Sequence, residues 1–361
     1  MPRIAWPAAA CVALSTMAAV GTVASPALAA GSGVASVTSA TKVQYNAASG
    51  KQNKVVITRS GNTITIDDKV AVSAGKGCKK VKGDKTKVRC TTKKAPTRVT
   101  IYTYGRNDVI VNNSNVRMSA YSGTGNDTVT GGSLGDKIQT GSGNDKADGR
   151  GGKDTLWGMT GNDTLRGGTG DDNLWGAEGN DKLYGDAGGD ILSGELGRDR
   201  LDGGADTDWL YGDDPELGIA ADVLLGGPGT DVAGYTGYTK AVVIDADGVK
   251  GDDGQAGEHD TIGADVESLF GGSGNDRITG GAGDGSFMGG DGNDVIHGGV
   301  GNDWIVGGEG KDKIYGDAGD DSLDGGDYDK HVVDLLNGGS NTEYGDHCEK
   351  AKKDTLVGCE N

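Results

Sequence analysis

Large apolar side chains are what this sequence has least of. Its 361 residues include 2 phenylalanines, and aromatic residues of all kinds make up 5%. A conventional packed interior needs far more bulk, so one ordinary globular core is excluded. Histidine is also scarce. The 4 copies are His259, His297, His331 and His347, and none stands in an HExxH zinc motif. Neither a nucleophile elbow nor a P-loop occurs. "DADG" (245–248) starts like an EF-hand but lacks the later glutamate. Asp213, Asp214 and Glu216 form the one acid cluster that hints at a cleft, and Pro215 between them fits a plain loop better. A non-enzymatic role is the expectation. No run beyond the N-terminus is apolar enough to span a bilayer.

Glycine is what the sequence has in excess: 69 copies, roughly three times an average usage of about 7%. Such a chain is either disordered or a repeat with a thin core. Residues 1–29 stand apart. An early Arg3, an apolar run and "ALA" ending at Ala29 read as a secretory signal peptide, so the protein is expected to be secreted and extracellular. Cys11 leaves with that segment. The remaining cysteines favour two local bridges, Cys78–Cys90 and Cys348–Cys359, because neither pair has zinc-site spacing or partner histidines.

Charge divides the rest. Residues 30–104 hold 15 Lys+Arg against 3 Asp+Glu; residues 105–361 hold 19 against 50. A basic head on an acidic body marks a domain boundary. The head contains "KVVITRSGNTITIDD", a hairpin around Ser60-Gly61-Asn62, and reads as a small N-terminal β cap. Its lysine-rich loop, 76–94, reads as a solvated face, with contact to anionic surface polymers as the alternative. No nucleic-acid partner is expected.

From residue 105 a period of nine takes over. Asp127, Asp136, Asp145, Asp154, Asp163, Asp172, Asp181, Asp190, Asp199 and Asp208 stand in register, and the residue two later is large and aliphatic in all but Ala147. After a five-residue insertion Asp222 and Asp231 resume the phase. Residues 232–263 break it, reading as a strand and an acidic loop laid over the stack. A second array, 264–330, carries Glu267, Asp276, Asp294, Asp303, Asp312 and Asp321, while Gly285 and Lys330 replace acids. Residues 331–361 lose the period and read as a C-terminal cap with a disulfide.

The letters dictate a shape. Glycines permit a tight turn at positive φ, and a three-residue strand with an apolar centre follows. Two units make an 18-residue coil, and coils stack about 4.8 Å apart by parallel pairing. Aspartates 18 apart then line the same edge of the stack. Two carboxylates roughly 5 Å apart repel by about 3 kcal/mol at an effective dielectric near 20. Summed along both edges, this overwhelms a core one leucine thick, so a counter-ion is required. Calcium suits, because it takes six to eight oxygens in a flexible shell, whereas magnesium holds its waters.

"GGTGDDNLW", "GGDGNDVIH" and "GGVGNDWIV" resemble the nonapeptide of the RTX (repeats-in-toxin, haemolysin-type) calcium-binding proteins. The resemblance covers roughly 120–330. It implies an all-β fold, a right-handed parallel β-roll, with sixth-position aspartates and turn carbonyls holding calcium. Residues 243–276 also resemble an inter-array segment of such bacterial proteins. Acid pairs 18 apart number eight in the first array and three in the second, which implies roughly ten ions when each site is one pair plus carbonyls. Gly285 and Lys330 are expected to cost sites; Met159, Asp186 and Glu195, at second-glycine positions, are expected to loosen turns. Trp157 and Trp175, 18 apart with Tyr211 two coils on, predict an outward ladder, which either covers the sheet or binds a sugar or partner. The expected role is structural or adhesive calcium binding; the alternative is a carbohydrate-binding or carbohydrate-active secreted β-helix protein.

Overall fold

The computed structural model describes residues 31–326, 333–340, 345–349 and 354–359. The leader reading (1–29) and the readings at Lys330 and His331 fall outside them. Among the described residues every regular element is a strand, and no helix is long and apolar enough to cross a membrane. The strands form a parallel β-solenoid. One 16-stranded sheet runs along one side; a 12-stranded and then a 7-stranded sheet occupy the other.

Coil stacking follows the 18-residue offset. Ile138 pairs with Leu156, Leu156 with Leu174 and Leu174 with Leu192 on one side; Ala147 pairs with Leu165 and Leu165 with Leu183 on the other. Alternation along each strand turns the central residue inward and its neighbours outward. The inward ones, from Val129 to Leu336, are almost fully buried and make one continuous core. The thin core is long rather than wide.

The head continues both sheets. Lys42–Asn46 pairs in parallel with Arg98–Tyr102, and Lys54–Ser60 with Val109–Asn113. The hairpin joins Lys54–Ser60 to Thr63–Asp67. Cys78 and Cys90 face each other across an antiparallel pair and are bonded; Cys348 and Cys359 form the second bridge.

Two sequence expectations change. Residues 232–263 are spliced into the stack and not laid over it. Val232–Gly234 joins the 16-stranded sheet, Thr261–Ile262 ends the 12-stranded one, and Val242–Asp245 lies in the 7-stranded one. The cause is burial: Ala233, Ile244 and Ile262 each fill a core position although the nine-residue phase is lost. Likewise Leu335–Asn337, His347–Glu349 and Thr355–Val357 extend the coil through the aperiodic tail. Leu336 and Cys348 are the buried central residues there.

Candidate metal centre

Every repeat aspartate is buried, 3% exposed or less, at the turn between two strands. Its Oδ1 has a fixed partner, the backbone N–H of the equivalent residue one coil earlier. Asp127 donates to Asp145 at 2.6 Å, Asp145 to Asp163 at 2.7 Å, and Asp163 to Asp181 at 2.6 Å. On the opposite edge Asp136 donates to Asp154, Asp154 to Asp172 and Asp172 to Asp190, each at 2.6 Å. These amides are freed by the turn and would be unsatisfied if buried without an acceptor. The carboxylates are thus structural caps as well as charges.

The second oxygen, Oδ2, is different. At Asp127, Asp145, Asp154, Asp163, Asp172, Asp181, Asp190, Asp199, Asp208, Asp222, Asp231, Asp294, Asp303 and Asp321 it is buried with no hydrogen-bond donor. At Asp154, Asp163, Asp172, Asp181, Asp190, Asp199, Asp208, Asp231, Asp294, Asp303 and Asp321 it points at a glycine five residues earlier, and at Asp222 it points at Gly212; before Asp127 and Asp145 the same place is held by Ser122 and Thr140. A Cβ built on Gly149 would lie 2.3 Å from Asp154 Oδ2 and 2.7 Å from the Gly167 carbonyl oxygen; on Gly176 the distances are 2.4 Å to Asp181 and 2.9 Å to Gly194. Glycine is required there because carboxylate and carbonyl oxygens of two coils crowd one α-carbon.

The electrostatics are severe. Burial pushes the carboxyls of Asp154, Asp163 and Asp190 up to about 8, with neighbouring aspartates adding to the shift and the amide bonds opposing it. Asp127, Asp199, Asp208, Asp294 and Asp303 rise to about 7 for the same leading reason. A buried carboxylate near neutral pH needs either a proton or a cation. The donors are carboxylate and carbonyl oxygens without nitrogen or sulphur, a set that fits a hard ion such as calcium.

Not every predicted position has the open oxygen. At Asp136 and Asp276 it accepts the amides of Gly132 and Gly272, at 2.7 and 2.8 Å. Gly285 keeps its place in the ladder, since its N–H donates to Asp303. There the Phe287 ring replaces the carboxylate: its Cζ lies 2.4 Å from a Cβ built on Gly285 and 2.3 Å from one built on Gly280. Hydrocarbon seals that rung.

Some ladder members escaped the sequence reading. Asp108 accepts from Asn53, and Asp127 from Asp108, although 108 and 127 are 19 apart. Asp260 accepts from Asp222, Asp334 from Asp312, and Asp346 from Asp321. Their signal is an acid two residues before an apolar residue, Ile262, Leu336 or Cys348, out of phase. Also missed was the asparagine of "GND". Asn144, Asn162 and Asn180 each donate their backbone N–H to the Oδ1 of the asparagine one coil earlier, at 2.9–3.0 Å. Asparagines therefore cap one coil boundary in the direction opposite to the aspartates.

The other sequence candidates are placed as follows. Trp157 and Trp175 stack with centroids 5.5 Å apart, and Tyr102 stacks on Tyr121 at 4.9 Å. Pairing aligns them in one outward column: Tyr102, Tyr121, Gln139, Trp157, Trp175, Ser193, Tyr211. Asp214 accepts the Glu216 amide in a loop, but Asp213 is buried. Asp245, Asp247 and Asp252 bring one carboxylate oxygen each within 4.8 Å of one another, with the last two exposed.

A parallel solenoid whose turns present rows of buried carboxylates has the form of a β-roll. Segments 121–156, 130–165, 148–183, 157–192, 184–214, 261–296 and 297–327 match the family described as RTX calcium-binding nonapeptide repeat (4 copies). The repeats of this chain are RTX calcium-binding nonapeptides, and the fold is their β-roll. No curated protein matches the chain.

Proposed function

We propose that this is a secreted, extracellular protein whose roll folds when calcium enters its turns after export, and that its role is structural or adhesive rather than catalytic. The observation that carries the reading is the unpartnered Oδ2, repeated coil after coil and, from Asp154 onward, crowded against a glycine α-carbon. When bound, calcium supplies the positive charge that lets stacked carboxylates remain ionised in a dry turn. The chain's own contribution is position. Oδ1 is held by the coil below, so Oδ2 can point only at the gap between coils. Roughly ten ions are expected, each between stacked acids with turn carbonyls completing the shell. Folding and binding are then one equilibrium.

Circular dichroism of the metal-free chain during calcium titration tests this. Sheet signal should be largely missing without calcium and appear cooperatively with it. A sheet signal and compact radius that survive exhaustive chelation at neutral pH would refute the proposal.

One observation favours an adhesive role toward extracellular polysaccharide. The half-buried Trp157–Trp175 pair stacks in a column with the half-buried Gln139, and aromatic faces beside an amide suit sugar rings. Trp157→Ala with Trp175→Ala should weaken retention on cell-wall polysaccharide at unchanged calcium binding. Equal retention rejects the strip.

A further inference from the structure

The cap concentrates positive charge at one end of the molecule, and its own acids do not answer it. All 3 are committed elsewhere. Lys87 holds Asp67 at 2.9 Å and Asp84 at 3.4 Å. Asp68 is buried, where it accepts the Tyr45 hydroxyl at 2.7 Å. Lys76, Lys79, Lys80, Lys82, Lys85 and Arg89 are exposed, and among the described residues none of them joins an ion pair. Lys79 and Arg89 also stand directly opposite each other, on Cys78–Lys80 and Lys87–Thr91. Like charges so placed repel. The Cys78–Cys90 bridge, at the next pair along, locks them in that register. Val88 and Cys90 are fully buried, so Arg89 between them faces out.

Protection of a sheet edge does not account for this face. Cys78–Lys80 is the outermost strand of the 12-stranded sheet, and a lysine on such a strand deters another chain from pairing with it. Lys76, Lys82 and Lys85, however, lie in the turns that flank the strand and guard no edge. A protein partner would want an apolar anchor, yet the exposed large apolar residues of the described chain begin at Leu134, beyond the cap. A single-stranded nucleic acid would want rings to stack on, yet no aromatic residue stands between Tyr45 and Tyr102. What remains is charge without shape, the chemistry that holds a flexible polyanion by releasing its counter-ions. Calcium favours carboxylates, so a polyuronate would be cross-linked by the ion that the roll takes. Phosphodiesters keep their charge for lysine ammonium groups.

We infer that the face around Lys79 and Arg89 docks a phosphodiester polymer of the cell envelope. It lies in a different sheet from the Trp157–Trp175 column and is built wholly outside the repeat. The inference rests on the secreted reading only for where the polymer is met. A chain that is not exported would undo that reading and leave the binding intact.

The test uses the full chain in calcium, with binding to fluorescent polyglycerol phosphate read by anisotropy over a salt series. Native affinity should fall steeply with salt. Lys79→Gln, Lys80→Gln, Lys82→Gln and Arg89→Gln combined should bind about tenfold more weakly or worse, with a log–log salt slope shallower by about 3. Lys79→Arg with Lys80→Arg and Lys82→Arg should bind as the native chain does, which separates charge from a folding defect. Trp157→Ala with Trp175→Ala should leave this affinity unchanged. Bound calcium, counted on the same samples, should be equal in all of them, so a failure of the calcium reading shows apart from a failure of docking. Equal affinity of the native chain and the glutamine variant overturns the inference, as does native binding no tighter than to neutral dextran. Double-stranded DNA bound more tightly than polyglycerol phosphate would give the face to another occupant and overturn it too. So would calcium-loaded dimers that the glutamine variant abolishes.

Discussion

At the residue level, one aspartate does two jobs, and the two can be separated by mutation. Asp163 holds the Asp145 amide with Oδ1 and offers Oδ2 to the gap. Asp163→Asn preserves the first and abolishes the second. The metal-free variant should be at least as stable as the native chain, yet gain less from calcium, as read by melting with and without the ion. Asp163→Ala loses both, and the stranded buried amide costs about 1–3 kcal/mol more. Second-glycine positions give another test. Met159, Asp186 and Glu195 all keep the turn, at φ 82, 76 and 70. The strain sits in the backbone, and the turn stays closed because the ladder on either side fixes it. Met159→Gly should raise the stability of the calcium-loaded chain by about 1 kcal/mol in denaturant titration.

At the level of the single coil, the rung at Gly285 shows how a site is lost without losing the fold. Gly285 still donates to Asp303, so backbone stacking is continuous. What fills the gap is Phe287, one of the chain's 2 phenylalanines. Gly285→Asp alone should destabilise, because its Cβ meets the ring and a neighbouring carbonyl. Combined with Phe287→Ile, it should add one bound calcium in an ion count. An unchanged count would mean that the ring is not what closes this rung. The terminal bridges act on the unfolded chain instead. Replacing Cys78 and Cys90 by serine, which opens a loop of separation 12, should lower stability by roughly 2–3 kcal/mol and leave the ion count unchanged.

At the level of the whole molecule, the buried acids set a pH dependence with a definite sign. Burial raises the folded carboxyls to about 6 at Asp172 and Asp181 and about 8 at Asp154, Asp163 and Asp190. A group with a raised folded value binds its proton more tightly when folded. Its contribution is therefore fully present below the unfolded value, about 4, and is lost as pH climbs through about 6 to 8. The metal-free chain should be most stable in mild acid and unravel toward neutrality, and calcium should reverse that loss at neutral pH. Melting curves across pH, with and without the ion, check it. A metal-free chain that grows more stable from pH 5 to 8 would contradict the burial seen here.

The sequence by itself determined the coil. A period of nine with an apolar residue two places after an acid leaves a pleated chain only one way to bury its leucines, and glycine at fixed places leaves only one way to turn. It also showed that negative charge would accumulate along the edges. Only the tertiary structure decided what each carboxylate touches, because that depends on a residue 18 or more positions away. The amide held by Oδ1, the opposed asparagine ladder, the ring over Gly285 and the in-register strands at Ile262, Leu336 and Cys348 all arise between coils. Periodicity reports a segment's own fold and is silent once insertions shift the phase. Stacking restores the phase in space, because a parallel ladder aligns whatever strand comes next, however many residues the loop before it contains.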